Sequence, residues 1–167
     1  SVRKDFVAEP SQAAAYPTDT NLGRKVDAAA REHPGRTAFV PLSQGVDAFL
    51  ARIAAIEAAE RTLDLQYYIV RGDEAGQLLL GRAYAAAERG VRVRILIDDW
   101  TIVGADESLA RLDAHPSIEV RIFNPRVGRS SFAPLRWFEI LRDFRRLNRR
   151  MHNKLWLADN TLAIVGG

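Results

Sequence analysis

The sequence contains no cysteine, which excludes a disulfide framework, a thiolate metal site and a cysteine nucleophile. No apolar run approaches the ~20 residues that a helix needs to cross a bilayer. Histidine is scarce as well, with three in 167 residues, so imidazole chemistry has few candidates. The remaining composition is that of a folded protein, 47% hydrophobic and 27% charged, and it predicts one domain with a single core.

Helical and strand-like segments alternate along most of the chain. Apolar spacing and capping signals predict helices at about 20–32, 44–61, 73–89 and 105–114, and strands at 62–70, 91–98 and 118–123. This alternation implies right-handed βαβ units and a mostly parallel sheet flanked by helices, which is an α/β fold. Residues 1–40 are Ala-rich, polar and broken by prolines. We interpret them as an N-terminal arm with one short helix, followed by the α/β domain at 41–167.

The second predicted helix carries apolar side chains at helical spacing. Ser43 precedes it and belongs to the residue types that cap helix N-termini. We therefore predict that Ser43 caps this helix and that its apolar stripe faces the core. The stripe consists of Val46, Phe49, Leu50, Ile53 and Ile56.

The C-terminal run MHNKLWLADNTLAIVGG contains the spacing H-x-K-x4-D-x6-G-G. Its members are His152, Lys154, Asp159, Gly166 and Gly167. Residues two apart on a strand point to the same face, so a strand over 151–157 places the imidazole of His152 beside the ammonium of Lys154, with Trp156 in register. Asp159 and the asparagine after it form a two-residue turn of the kind that hairpins prefer.

This arrangement predicts phosphoryl transfer. A neutral imidazole is a good nucleophile toward phosphorus, because its unperturbed pKa of about 6.5 leaves much of it unprotonated at neutral pH. A lysine ammonium can hold the non-bridging oxygens of a phosphodiester and offset the charge that develops during attack. The double glycine, Gly166 and Gly167, lets backbone approach a ligand closely, which makes it a candidate for substrate binding. Asp159 has a sufficient local reason in the turn, so structural and catalytic roles both stay open for it.

The run from His152 to Gly167 resembles the HKD motif of the phospholipase D superfamily. Longer stretches, from about Phe39 to the C-terminus, resemble bacterial cardiolipin synthases, especially the type C group. These stretches are GVDAFLARIAAIEAAERTLDLQYYIV, RVRILIDDW, IEVRIFNP and LNRRMHNKLWLADN. The resemblance implies that the motif histidine attacks a phosphodiester, that the lysine binds phosphate, and that a histidine from a second HKD motif protonates the leaving alcohol. By this resemblance, His152 is the nucleophile or the acid, Lys154 the phosphate ligand and Asp159 a catalytic candidate, with no metal and no cofactor.

One HKD motif is present, since neither His33 nor His115 has a lysine two residues further on. Both of these histidines precede a proline in polar segments, where we expect them to be solvated. We therefore expect half of an active site, completed by a second HKD half downstream in a longer protein or by a second copy. We favour the longer protein, because a sheet that ends one strand after its motif leaves an edge that needs cover.

The predicted strand 91–98 ends on neighbouring carboxylates, Asp98 and Asp99. Ligands of open α/β sheets gather beyond the carboxyl ends of the strands, so this pair can orient an imidazole, bind a metal or cap the following loop. A metal is the least favoured of these. Only one of two adjacent carboxylates can face a given site, and no histidine lies nearby in sequence.

Positive charge is concentrated between residues 121 and 150. This stretch holds nine arginines against two carboxylates, a local balance of +7 that leaves the remainder at −4 within a total of +3. An apolar stripe at helical spacing runs through it and consists of Trp137, Ile140, Leu141, Phe144 and Leu147. Such a helix suits an anionic membrane surface or nucleic-acid phosphates, or it docks its stripe on the sheet while the arginines stay in water. The resemblance favours an anionic phospholipid substrate and peripheral association with a bacterial inner membrane.

Three functions are consistent with these patterns. The first is a phosphatidyltransferase that makes cardiolipin by passing a phosphatidyl group from His152 to a second lipid, with phospholipase D hydrolysis when water is the acceptor. The second is a dimeric, single-motif endonuclease or another phosphodiesterase, with nucleic acid as the less favoured partner. The third is an inactive interaction module that keeps the scaffold. We expect the first.

Overall fold

Four helices and seven strands make up the part of the chain that the structure, a computed structural model, describes. The described residues are 17–68, 70–98, 102–103, 106–124 and 150–166. The helices are α1 (Asn21–Glu32), α2 (Gly45–Ala58), α3 (Glu74–Glu88) and α4 (Asp106–Asp113), and a 3-10 turn (Pro17–Asp19) precedes α1. The strands are β1 (Thr62–Tyr67), β2 (Val70–Arg71), β3 (Arg92–Asp98), β4 (Ile102–Val103), β5 (Ile118–Phe123), β6 (Leu155–Ala158) and β7 (Leu162–Val165).

Five of these strands form one sheet in the order β5-β3-β1-β6-β7. β1, β3 and β5 pair in parallel, whereas β6 pairs antiparallel with both β1 and β7. Four strands therefore point the same way and β6 alone is reversed, which confirms the α/β prediction and makes the sheet mixed. β2 and β4 form a separate two-stranded parallel ladder.

The core lies between one face of this sheet and helices α2, α3 and α4. α2 packs on β6 and β7, α3 on β3, and α4 on β5. Alternate residues of the strands supply the sheet side of the core, as the period of two requires: Leu63, Leu65, Val93, Ile95, Ile97, Ile118, Val120, Trp156 and Ala158. Alanines of α3 let that helix approach the sheet closely.

The elements with strong local signals lie where the sequence predicts them. The predicted helices 20–32, 73–89 and 105–114 correspond to α1, α3 and α4, and the predicted strands 91–98 and 118–123 to β3 and β5. Asp73 caps α3 by accepting the Gly76 N–H at 2.8 Å, and Gly90, at φ +91, follows its end. The predicted strand 62–70 is shorter, because β1 ends at Tyr67.

The predictions for α2 need two corrections. Ser43 does not cap the helix, which begins at Gly45 after an N-cap residue whose side chain makes no cap hydrogen bond. Val46 and Leu50 are not in the core but 70% and 55% exposed, whereas Ile56 is fully buried. The buried residues of α2 all lie in its C-terminal half, so the apolar stripe continues beyond the part of the helix that the sheet covers.

Some predictions fall outside the described residues, namely the arginine-rich helix within 125–149, Asp99 and Gly167. Within the described ranges, the structure contains no helix with the length and apolar character needed to traverse a bilayer.

Candidate active site

The motif residues lie at the edge of the sheet where the parallel strands end. β1 and β3 both run toward this edge. Tyr68 directly follows β1 there, and Asp98 is the last residue of β3. Because β6 is antiparallel to β1, its first residues begin at the same edge, after Lys154, and β7 returns to it before Gly166. We call this the motif edge. It is where open α/β sheets bind ligands.

The ring of His152 is exposed to solvent on one face and stacks on a tyrosine on the other. The side chain is exposed, and the imidazole stacks on the ring of Tyr68 with centroids 4.4 Å apart and planes 28° apart. Stacking at this distance restricts the ring without covering its far face. The nucleophile candidate is therefore both oriented and accessible.

Asp98 holds the main chain immediately before His152. Its carboxylate is fully buried, accepts the Met151 N–H at 3.0 Å and pairs with the Arg150 guanidinium at 3.2 Å. Asp98 thus anchors the motif segment through its main chain, a role that was not among the three predicted from the sequence.

Lys154 is held by the returning strand. The Gly166 N–H donates to the Lys154 carbonyl at 3.0 Å, and the Lys154 side chain is half-buried. Gly166 has φ +93, and a Cβ built there meets no atom within 4 Å. Glycine is thus required at this position by the backbone conformation and not by lack of space.

The predicted strand over 151–157 needs correction, because β6 begins only at Leu155. Residues 151–154 lead into the strand, and Asn153 donates from its amide to Gln66 of β1 at 3.3 Å. Trp156 belongs to the core, not to the chemical face: it is 3% exposed and packs edge-to-face on Tyr67 at 5.6 Å. His152 and Lys154 therefore lie at the motif edge in a segment that precedes the ladder.

Asp159 lies at the other end of the β6–β7 hairpin, five residues along the chain from Lys154 and roughly 16 Å away at the rise of an extended strand. Its carboxylate is fully buried and accepts three backbone N–H groups, from Glu60 at 3.0 Å, Arg61 at 2.7 Å and Thr62 at 3.0 Å. Asp159 and Asn160 both have positive φ, 49° and 53°, as tight hairpin turns require. Ala158 pairs with Leu162, so the loop has three residues and the prediction of a two-residue turn was wrong. This geometry favours the structural role of the two that the sequence left open.

The other two histidines are not at the motif edge. His33 follows α1 and is exposed, as predicted. The prediction of a solvated His115 was wrong: its side chain is 10% exposed, with Nε2 2.8 Å from Glu88, and its ring meets Tyr84 edge-on at 5.1 Å. Because Nδ1 accepts the Ser117 N–H, Nε2 carries the proton toward Glu88, and His115 joins α3 to the start of β5.

In the described part of the chain, the face of the sheet opposite the helices carries an ion pair between neighbouring strands. Asp64 of β1 pairs with Arg94 of β3, and this hydrogen bond raises the pKa of Arg94 above its ordinary value. A cavity of about 490 Å³ lies over this face and includes Gln66, the partner of Asn153. Neither His152 nor Lys154 lines it, so this cavity is not formed by the motif side chains. Across the described residues, no group of three or more His, Asp or Glu side chains is placed to hold a metal.

Sequence reasoning missed two contributors to the motif edge, Tyr68 and Arg150. Tyr68 comes directly after a predicted strand, so the rule that drew attention to Asp98 applies equally to it. Arg150 had no such signal, because it stood among nine arginines of similar appearance.

A mixed sheet covered by helices on one face, with a His-x-Lys segment at its carboxyl edge, defines a phospholipase D-like α/β domain. The chain belongs to the family described as "Cardiolipin synthase, PLD-like domain", whose model matches residues 53–167.

Relatives with curated names agree with this membership. The chain is 51% identical over 136 residues to cardiolipin synthase C of Escherichia coli (strain K12), a match that covers 81% of this chain and 28% of the relative. It is 30% identical over 126 residues to the major cardiolipin synthase of Bacillus subtilis (strain 168), covering 75% of this chain and 24% of the relative. The chain thus spans less than a third of the length of these relatives.

Among solved structures, NucT from Helicobacter pylori is similar, with a TM-score of 0.50 and 17% identity. The match covers 77% of this chain and 70% of NucT. At this identity, the similarity supports the fold alone.

Proposed function

We propose that this chain supplies one half of a phosphatidyltransferase site of the phospholipase D type, and that the complete protein makes cardiolipin. The observation that carries the proposal is the exposed imidazole of His152, held at the motif edge by Tyr68 on its ring and by Asp98 on the main chain before it. The 51% identity to cardiolipin synthase C supports the choice of lipid as substrate.

The first chemical step is attack by an imidazole nitrogen of His152 on the phosphorus of a donor phospholipid. A P–N bond forms, the P–O bond to the headgroup alcohol breaks, and the leaving oxygen takes a proton from a general acid. Lys154 binds the non-bridging oxygens and offsets their growing negative charge. The resemblance implies that the acid is a histidine of a second HKD half, on the same chain or on a second copy.

The second step releases the phosphatidyl group. The hydroxyl of an acceptor lipid attacks the phosphorus, its proton passes to the histidine that served as acid, and the P–N bond breaks. Water in the same position gives hydrolysis, so the product depends on how well the assembled site excludes water. Gly166 and Gly167 are proposed to line the phosphate pocket, whereas Asp159 is proposed to shape the hairpin.

The test uses the full-length protein with phosphatidylglycerol, which offers both a phosphodiester and free hydroxyls. Transfer between two molecules yields cardiolipin and glycerol, and hydrolysis yields phosphatidic acid and glycerol. We expect cardiolipin as the main lipid product, measured by mass spectrometry of the extracted lipids. Cleavage of plasmid DNA without lipid turnover would instead support the endonuclease, and turnover of neither would support an interaction module.

The stack of Tyr68 on His152 leads to a prediction about catalysis. We expect Tyr68→Ala to lower kcat/KM by roughly twofold to tenfold, because an aromatic pair of this kind contributes about 0.5–1.5 kcal/mol. Tyr68→Phe keeps the ring and should retain most of the activity. Tyr84→Ala is the matched control, since it removes a Tyr–His ring contact away from the motif edge. Equal activity of Tyr68→Ala and wild type would contradict the role of the stack.

The charge between residues 121 and 150 leads to a prediction about membrane binding. We propose that this stretch draws the protein to an anionic bilayer as a peripheral protein. Arg145→Gln with Arg146→Gln should weaken binding to phosphatidylglycerol vesicles about thirtyfold, at about 1 kcal/mol for each arginine, without changing binding to neutral vesicles.

Vesicle co-sedimentation measures the effect. The control is Arg82→Gln with Arg111→Gln, which removes the same charge from exposed positions on α3 and α4. Equal weakening by both pairs would show that net charge alone matters and would contradict a role for this stretch.

A further inference from the structure

We propose that Arg52 is a positioning residue of this site, although it lies on a helix outside the motif. The inference rests on the proposed function. Arg52 fixes the carbonyl of Gly166, and Gly166 in turn fixes the main chain of Lys154, the proposed phosphate ligand.

Arg52 contacts two segments that are far apart in the sequence. Its side chain is in the buried half of α2, with 7% exposure. One terminal nitrogen donates to the Ala48 carbonyl of its own helix at 2.7 Å, and the other donates to the Gly166 carbonyl at 2.7 Å. The guanidinium therefore ties α2 to the end of the hairpin that carries the motif.

Gly166 is held from both sides. Its N–H donates to the Lys154 carbonyl at 3.0 Å, and its own carbonyl accepts from Arg52. With φ at +93, Gly166 has a backbone conformation that residues with a Cβ rarely adopt. The hydrogen bond from Arg52 fixes the direction of its carbonyl. The order of contacts is α2, Arg52, Gly166, Lys154.

The energetics indicate that stability is not the reason for this arginine. Among the described residues, Arg52 forms no ion pair with a carboxylate, and its buried Nε has no hydrogen-bond partner. A buried cation that meets only neutral carbonyls is expensive compared with an apolar side chain of similar size. Its charge, one hydrogen bond from Gly166, favours an anion at the motif edge. Burying the charge of Arg52 lowers the stability of the fold, whereas the same charge favours phosphate binding. A residue that lowers stability in this way is expected at a functional site.

The experiment compares stability and turnover in the full-length protein with phosphatidylglycerol. Arg52→Met removes the charge and both hydrogen bonds but keeps an unbranched, helix-compatible side chain. We expect an unchanged or higher Tm together with a kcat lowered by roughly tenfold to a hundredfold, the cost of a slightly misplaced group, and a smaller change in KM. Arg52→Lys should recover part of the kcat, because one ammonium can reach the Gly166 carbonyl and restores the charge.

Ile56→Val is the control on the same helix, since it loosens a fully buried core contact and should lower Tm while leaving kcat near wild type. A kcat for Arg52→Met within twofold of wild type would overturn the proposal. So would a loss of kcat that merely follows a loss of folded protein. Arg52→Gln serves as the second variant if Arg52→Met does not fold.

The two proposals fail in different ways. Wild-type protein that turns over no lipid would contradict both the function and the role of Arg52. Wild-type turnover that is insensitive to Arg52→Met would contradict only the role of Arg52.

Discussion

Changing His152 to asparagine in the full-length protein is expected to lower phosphatidyl transfer by about a thousandfold or more. The reason is that asparagine cannot form the P–N bond, so the two-step path is lost and not merely slowed. The fold should be little affected, because the ring is exposed and its described contact is the Tyr68 stack. We expect Tm to stay within a few degrees of wild type.

The intermediate itself is measurable. Wild-type protein quenched during turnover should carry a phosphatidyl group on the peptide that contains His152, and this adduct should be lost in acid, as P–N bonds are. The adduct should be absent from His152→Asn. His33→Asn is the control, since it removes an exposed histidine from the end of α1. If His152→Ala keeps the activity of wild type, the site is not at this residue.

Changing Asp159 to alanine is expected to lower the stability of the fold more than any other substitution proposed for this protein. Three backbone N–H groups lose a charged acceptor, and hydrogen bonds to charged groups contribute about 1.5–3 kcal/mol each. Water can replace some of these bonds in the half-buried loop, so we expect the free energy of unfolding to fall by about 3 kcal/mol. Thermal unfolding of the full-length protein should show this as a decrease in Tm of about 10 °C.

This experiment also separates the two roles that the sequence allowed for Asp159. Asn160→Gly is the matched control in the same turn, because glycine accepts the positive φ of 53° without strain. A structural Asp159 predicts low Tm with a kcat that recovers for the folded fraction at low temperature. Normal Tm with lost kcat would instead assign Asp159 to the chemistry.

The helices and strands that could be predicted from the sequence are those whose ends or periodicity are set by residues within the same segment. Asp73 and Gly90 bound α3 by capping and by a positive φ, and alternation alone locates β3. The motif could also be found without a structure, because its residues are close together in the chain. The rule that ligands gather beyond the carboxyl ends of strands also drew attention to Asp98, which the structure places against the main chain of the motif segment.

The rest depends on contacts between distant segments. Nothing local in LWLA indicates that β6 inserts next to β1 in the reverse direction, where Leu65 faces Trp156. The sequence could not distinguish a structural from a catalytic role for Asp159, because its hydrogen-bond partners lie almost one hundred residues earlier. Val46 and Leu50 fit the helical period, but exposure is decided by how far the sheet extends beneath α2. The bond from Arg52 to Gly166, 114 residues apart, has no sequence signature at all.

The outermost position of β7 makes one amide of the hairpin informative about the whole motif edge. Among the described strands, β7 pairs with β6 alone, so within this part of the chain its opening breaks one ladder. The Gly166 N–H bond to Lys154 closes that ladder next to the lysine. The rate at which this single proton exchanges with deuterium therefore reports how often the main chain of Lys154 separates from β7, and if Lys154 binds phosphate as proposed, bound substrate should slow the exchange.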